Sequence, residues 1–211
     1  MKLLLVDDHA LFRDGLALLV GLEFPALELL QAGSLAQAQE LLARHPDTRL
    51  VLLDLGLPDA AGLAALSLLR QVSDLAPCVI LSAEESPAVV LAALDAGAAG
   101  FIPKTTQSDT MLAALRTILA GGVYLPPCVT GELRPPAPGG EAVTGLSERQ
   151  MDVLRLLLEG KSNKHIGREL GLSESTVKTH LSAIFRRLDV NSRTQAVVAA
   201  SRLGLRLAFM G

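Results

Sequence analysis

From residue 2 to about residue 120, short apolar runs alternate with longer stretches in which apolar residues recur every three to four positions. The runs are 2–6, 27–31, 50–53, 78–81 and 100–103, and the helical stretches that follow them are 11–20, 35–44, 63–71, 88–96 and 111–120. Continuous apolar runs of this length read as strands buried on both faces, and the three-to-four period reads as helices with one face on a core. Five such β–α repeats, joined by right-handed crossovers, predict an α/β doubly wound five-stranded parallel sheet. Local chemistry agrees. Ser34-Leu35-Ala36-Gln37 has the spacing of a capping box, and Gly97 falls where a helix would stop.

The pattern breaks after residue 121. Residues 122–143 carry Pro126-Pro127, Arg134-Pro135-Pro136-Ala137-Pro138 and Gly139-Gly140, so most of this stretch is unsuited to helix or central strand and reads as a semi-stiff linker. From 144 to 211 the pattern is helical throughout, which predicts an all-α four-helix domain. Leu146-Ser147-Glu148-Arg149-Gln150-Met151 combines a Ser-x-x-Gln capping box with a hydrophobic staple, and the helix it opens runs to about Glu159. Ser162 to Leu170 forms a short second helix, Gly171-Leu172-Ser173 a tight turn, and Ser173 caps a third helix in which Val177, Leu181, Ile184 and Leu188 make an apolar stripe. The closing residues 204–211 are unusually apolar for a tail.

Candidate chemistry lies at the strand ends. In open α/β sheets ligands bind beyond the carboxyl ends of the strands, and here the first strand runs into Asp7-Asp8, the third into Asp54, the fourth into Ser82-Ala83 and the fifth into Lys104. Taken singly, each has an ordinary explanation: a helix cap for Asp7 or Asp8, a loop cap for Asp54, a turn for Ser82, a surface lysine for Lys104. Taken together, three carboxylates on one rim would repel one another unless a cation sat among them. Hard oxygen ligands suit Mg²⁺, which takes one or two carboxylates and keeps several waters. Such a cation, with the Lys104 ammonium and the Ser82 hydroxyl, would screen an incoming phosphoryl group for attack by Asp54, giving an aspartyl phosphate.

With Pro58 and Gly62 behind Asp54, and Phe101-Ile102-Pro103-Lys104 ending the fifth strand, residues 1–121 resemble a response-regulator receiver of the flavodoxin-like fold. The resemblance implies that Asp54 is the phosphoacceptor, that Asp7, Asp8, Asp54 and the carbonyl of Gly56 hold Mg²⁺, and that Ser82 and Lys104 bind phosphoryl oxygens. It also makes Ser82 and Phe101 a switch pair, in which Ser82 moves toward the phosphate and the ring turns into the space it leaves.

The exposed face expected for the third helix of the second half carries Ser175, Lys178, Thr179, Ser182 and Arg186, small hydroxyls mixed with cations that suit close approach to a DNA groove. With Gly160-Lys161-Ser162-Asn163-Lys164-x-Ile166 and Leu172-Ser173-x-Ser175-Thr176-Val177-Lys178-Thr179-His180, this half resembles the LuxR-type helix-turn-helix. The resemblance implies base contacts from Lys178, Thr179 and Ser182. Phosphate contacts would come from Ser162, Asn163, Lys164, Thr176 and neighbouring cations such as Arg186, and dimerisation would run through a last helix at 194–203. Gln150 and His165 stand where the pattern usually has Glu.

Charge supports this division of labour. Residues 1–121 hold 7 Lys/Arg against 14 Asp/Glu, whereas residues 144–211 hold 11 against 6, so only the second half is suited to a polyanion. No stretch offers about twenty uninterrupted apolar residues, and acids come too early for a signal peptide, so no membrane association and a cytoplasmic location are expected. Cys78 and Cys128 have neither a disulfide framework nor metal spacing, and His9, His45, His165 and His180 show no ligand pattern. As a whole the chain resembles a response regulator of the NarL/FixJ group. That implies a sensor histidine kinase and a double-stranded DNA operator as partners, a homodimer when active, RNA polymerase as a further contact, and no enzymatic activity beyond its own phosphotransfer and dephosphorylation. A phosphorylation-independent DNA-binding protein, with the receiver as an interaction module, is the alternative. An aspartate-nucleophile phosphatase is disfavoured because it needs an acid two residues after the nucleophile, where Gly56 stands.

Overall fold

A computed structural model of the chain describes residues 1–72, 76–130, 145–203 and Leu205. The Pro-rich run from 134, the residue Thr144 at which the helical pattern starts, and most of the apolar tail therefore lie outside the described residues. The chain divides into two compact units, Met1–Leu115 and Arg116–Gly211.

In the first unit five strands, β1 (Lys2–Val6), β2 (Glu28–Ala32), β3 (Thr48–Asp54), β4 (Cys78–Ser82) and β5 (Gly100–Pro103), pair in parallel in the order β2-β1-β3-β4-β5. Helices α1 (Ala10–Glu23), α2 (Leu35–Arg44), α3 (Ala64–Val72), α4 (Pro87–Asp95) and α5 (Ser108–Leu119) follow the strands. Leu3 to Val6, Leu50 to Leu53 and Val79 to Leu81 are essentially buried, as expected of central strands covered on both faces. β2 lies at the sheet edge and is more exposed. The chain steps from β1 outward to β2, then back across to β3, so the strand order reverses between β1 and β3, the point where such sheets open a crevice. Asp7 follows one of these two strands and Asp54 ends the other.

The start of α2 differs from the sequence reading. The Ser34 hydroxyl accepts from the Gln37 amide at 3.3 Å, but the Gln37 side chain accepts from Gly33 N–H, one residue before the position a capping box requires. The remaining donors of α2 are taken by Asp59, whose two carboxylate oxygens accept from Leu35 N–H at 2.9 Å and Ala36 N–H at 3.0 Å. These bonds hold the Asp59 carboxyl below its ordinary pKa. The stop at Gly97 is as expected. Its φ of 96° suits glycine, and the Arg70 guanidinium fills the space a Cβ would need while donating to the carbonyls of Ala96 and Gly97 at the end of α4.

The described part of the stretch expected to be mostly unsuited to helix contains a short helical turn, α6 (Pro127–Thr130), which proline at the first helical position favours. Beyond it lie α7 (Glu148–Leu158), α8 (Asn163–Leu170), α9 (Glu174–Leu188) and α10 (Arg193–Arg202). Ser147 and Gln150 form the full capping box of α7, and Gly171 ends α8 in the left-handed conformation. Val177, Leu181 and Ile184 of the expected stripe are buried. Leu188, in the last turn, is only half-buried because Asp189 already turns left-handed beside it, with φ 54°.

Candidate functional site

Asp7, Asp54, Ser82 and Lys104 meet at the carboxyl rim of the sheet. Asp54 and Ser82 end their strands, and register pairs them with Leu81 and Pro103 respectively, so the tips of β3, β4 and β5 lie side by side. The Lys104 ammonium sits between the acids, 2.8 Å from Asp7 Oδ2 and 2.8 Å from Asp54 Oδ2. Both oxygens are buried and have no hydrogen-bond partner besides the Lys104 ammonium. Burial acts to lower the Lys104 pKa, but Asp54 and Asp7 outweigh it and hold the ammonium above its ordinary range. The ring of Phe12 supports the same ammonium at 4.9 Å, a cation–π contact from α1.

Asp8 is partly exposed, and the His9 ring lies 2.8 Å from its carboxylate. Asp7 Oδ1 accepts from His9 N–H at 2.9 Å, and Arg13 donates to the Asp7 carbonyl at 2.6 Å, which fixes the turn out of β1. The Ser82 hydroxyl accepts from Glu84 N–H at 3.1 Å, leaving its own proton free to donate. Phe101 is wholly buried, so any ring movement starts from, or ends at, this inward position.

Asp54, Ser82 and Lys104 line an open cleft of about 460 Å³ with His9, Gly56 and Glu84 on its walls. A Cβ at Gly56 would come within 3.3 Å of Asp54 Oδ2, so glycine keeps that approach clear. The donor set of Asp7, Asp8, His9 and Asp54, whose ligand atoms lie within 4.8 Å of one another, is compact enough for one cation. One ammonium serves the buried oxygens of both Asp7 and Asp54, and a cation among these acids would supply the further positive charge.

In the second unit, Lys178, Thr179, Ser182 and Arg186 share the exposed face of α9, as the sequence reading required. Thr179 and Ser182 donate their hydroxyl protons back to the carbonyls of Ser175 and Lys178 at 3.1 and 3.0 Å. Either would have to rotate to donate outward, whereas Lys178 extends from an exposed position. Thr176 is half-buried, its hydroxyl 2.8 Å from that of Ser173.

The residues around α8 are less free. Ser162 is buried, spent on capping α8 and on the His165 ring at 2.8 Å, while Lys164 is exposed. Asn163 is half-buried and accepts through Oδ1 from Arg193 of α10 at 2.8 Å. Arg193 also donates to the Lys161 carbonyl, and burial lowers its pKa to about 10. Sequence reasoning missed the roles of His9, Phe12, Asp59 and Arg193. Only His9 had a local signal, standing directly after the acid pair.

Residues 3–116 match the response regulator receiver domain, and residues 144–200 match the bacterial regulatory proteins of the luxR family. The chain is 39% identical over 208 residues to the glycerol metabolism activator of Pseudomonas putida, covering 94% of each protein. It is 34% identical over 200 residues to the nitrate/nitrite response regulator protein NarP of Escherichia coli, covering 93% of each. Among solved structures, a LuxR-family two-component response regulator from Aurantimonas is similar at a TM-score of 0.56 and 30% identity over 62% of this chain and 93% of that one. The RcsB response regulator in its DNA complex is similar in fold, with a TM-score of 0.56 at 19% identity over 95% and 98%. No described helix is long and apolar enough to cross a membrane.

Proposed function

The chain belongs to the response regulators that join a receiver domain to a LuxR-family DNA-binding domain, and from that premise we propose that Asp54 accepts a phosphoryl group and thereby controls DNA binding. The observation that carries the proposal is the buried triplet at the strand ends: an ammonium held 2.8 Å from each of two acids, beside a serine whose proton is free.

Phosphotransfer from a phosphohistidine of a sensor histidine kinase, or from a small phosphodonor, would run as one displacement. An Asp54 carboxylate oxygen forms the bond to phosphorus while the bond from phosphorus to the donor breaks, its electron pair leaving with the donor. Lys104 neutralises charge on the phosphoryl oxygens, Ser82 donates its hydroxyl proton to one of them, and the bare Gly56 leaves the approach open. Asp7, Asp8, Asp54 and the Gly56 carbonyl would hold Mg²⁺. That ion supplies a positive charge beside the phosphoryl oxygens. Dephosphorylation is the same displacement with water as the attacking group.

The modification adds about 1.5 to 2 negative charges to a rim already short of cations. Lys104 must then be shared three ways, and Ser82 gives up its bond from Glu84 N–H to meet the phosphoryl group, which loosens the turn between β4 and α4. Movement of the Phe101 ring would transmit that change. The receiver is placed at 1–121, the linker at 122–143 and the DNA-binding domain at 144–211. In the last of these Lys178, Thr179 and Ser182 face the bases of an operator, with Lys164, Thr176 and Arg186 on phosphates. The Asn163 amide nitrogen remains able to donate to a phosphate, whereas buried Ser162 acts by presenting the α8 N-terminus. The active species is a homodimer formed through α10, acting in the cytoplasm, with RNA polymerase as a further contact.

The test is intact mass and dimer fraction of the full chain with a small phosphodonor and Mg²⁺, alongside Asp54→Ala. One phosphoryl adduct that requires Asp54 and raises the dimer fraction is expected. A folded protein that takes no adduct, or an adduct that survives Asp54→Ala, would overturn the proposal.

A further inference from the structure

His9 opens α1 from the N-cap position, yet its side chain caps nothing. The ring turns instead to the acid cluster, with Nδ1 2.8 Å from Asp8 Oδ1, 3.5 Å from Asp7 Oδ1 and 4.0 Å from Asp54 Oδ2. An octahedral dication with bonds of about 2.1 Å keeps neighbouring donors about 3.0 Å apart and opposite donors about 4.2 Å apart. The three separations fall close to that span, so the ring nitrogen stands where a ligand of the same ion would stand. Three carboxyl groups face the one Lys104 ammonium, and the buried Asp7 Oδ2 and Asp54 Oδ2, each 2.8 Å from it, have no hydrogen-bond partner besides it, so the cluster is short of positive charge and points to an ion.

We propose that His9 gives this cation site a nitrogen donor, so that it takes a first-row transition-metal dication such as Mn²⁺ in preference to Mg²⁺. The inference rests on the cation site proposed above and concerns which ion that site prefers. Mg²⁺ is small, hard and reluctant to give up water for nitrogen, so an imidazole adds little to its binding. Imidazole suits the first-row transition metals better, and among them selectivity is set by donor type and geometry.

The test uses the full chain and needs no phosphorylation. Mn²⁺ is titrated by its electron paramagnetic resonance signal, and Mg²⁺ by displacement of bound Mn²⁺. The bound Mn²⁺ is examined for nitrogen-14 coupling, and wild type is compared with His9→Gln, His9→Ala and Asp8→Asn. Coupling is expected in wild type and absent from both His9 variants. Their Mn²⁺ affinity should fall about tenfold, within the range by which changes around a metal alter its binding, while Mg²⁺ affinity stays within about threefold. No coupling in wild type, or coupling that persists in His9→Gln, would overturn the inference, as would equal losses for both ions, which would make His9 a positioning partner of Asp8. Failure of the underlying site looks different: neither ion binds, or Asp8→Asn changes neither affinity. Circular dichroism of each variant separates lost ligation from lost fold.

Discussion

Lys104→Met removes the ammonium while keeping an unbranched apolar stem. At 2.8 Å from each carboxylate oxygen, and with an effective dielectric of about 20, each contact supplies about 6 kcal/mol of attraction before desolvation. Removing three charges from water costs several kcal/mol per ion and cancels most of that. The variant keeps the desolvation of Asp7 and Asp54 but loses what offset it, so a net loss of about 3 kcal/mol is expected, at the low end for breaking a buried pair. For a domain of this size that lowers the receiver melting transition by about 10 °C. The assay is thermal unfolding of the full chain at pH 7 and pH 5, with and without Mg²⁺. A bound dication should shrink the unfolding deficit by supplying the positive charge that was removed. The raised pKa of Lys104 means that its contribution is fully present below the ordinary lysine pKa and is lost only as pH climbs through the folded value, so the deficit should be the same at pH 5 and pH 7. A deficit that Mg²⁺ leaves unchanged would show that packing rather than charge was lost and would refute the reasoning.

Asp59→Ala should destabilise the receiver by about 1 kcal/mol, the usual cost of losing an N-terminal cap, read as a lower denaturant midpoint with unchanged slope. Because the carboxyl pKa is lowered in the fold, this contribution is present above the unfolded value and fades as pH falls through the folded one, so the two proteins should converge in strong acid. Cys78 is buried, and burial pushes its thiol up to about 12. In the folded chain at pH 8 it should resist alkylation, and a mass shift at Cys78 at the rate seen in denaturant would contradict this. Binding to operator DNA should weaken steeply with salt, and Lys178→Ala should cost about 1 to 3 kcal/mol and relax discrimination at one base pair. A uniform loss across all sequences would instead make Lys178 a phosphate contact.

The strand ends were legible because they are a local property: an apolar run that stops on Asp54 or at Lys104 shows both the strand and the charged group at its tip. The caps of α7 and α9 were legible for the same reason, since each bond spans three residues. What stayed hidden joins distant residues. Asp59 lies 24 positions from the Leu35 it caps, and Arg193 lies 30 from Asn163; no window along the chain contains both partners. The same blindness affected Ser162, which reads as a surface hydroxyl in sequence but is buried beneath the helix it caps. Nothing local marks Phe12, and only the fold brings the Lys104 ammonium over its ring.

The Asp59 cap also makes the loop after β3 a ruler. Four residues, 55–58, separate the phosphoacceptor candidate from a carboxylate anchored on two amides of α2. One inserted residue adds up to about 3.8 Å of chain, more than a hydrogen bond tolerates. A longer loop would have to give up the anchor or bulge into the cleft beside Asp54. In a scan of insertions through the receiver, this loop should therefore behave like core strand, intolerant of any change in length, although its residues Gly56, Pro58 and Asp59 are exposed.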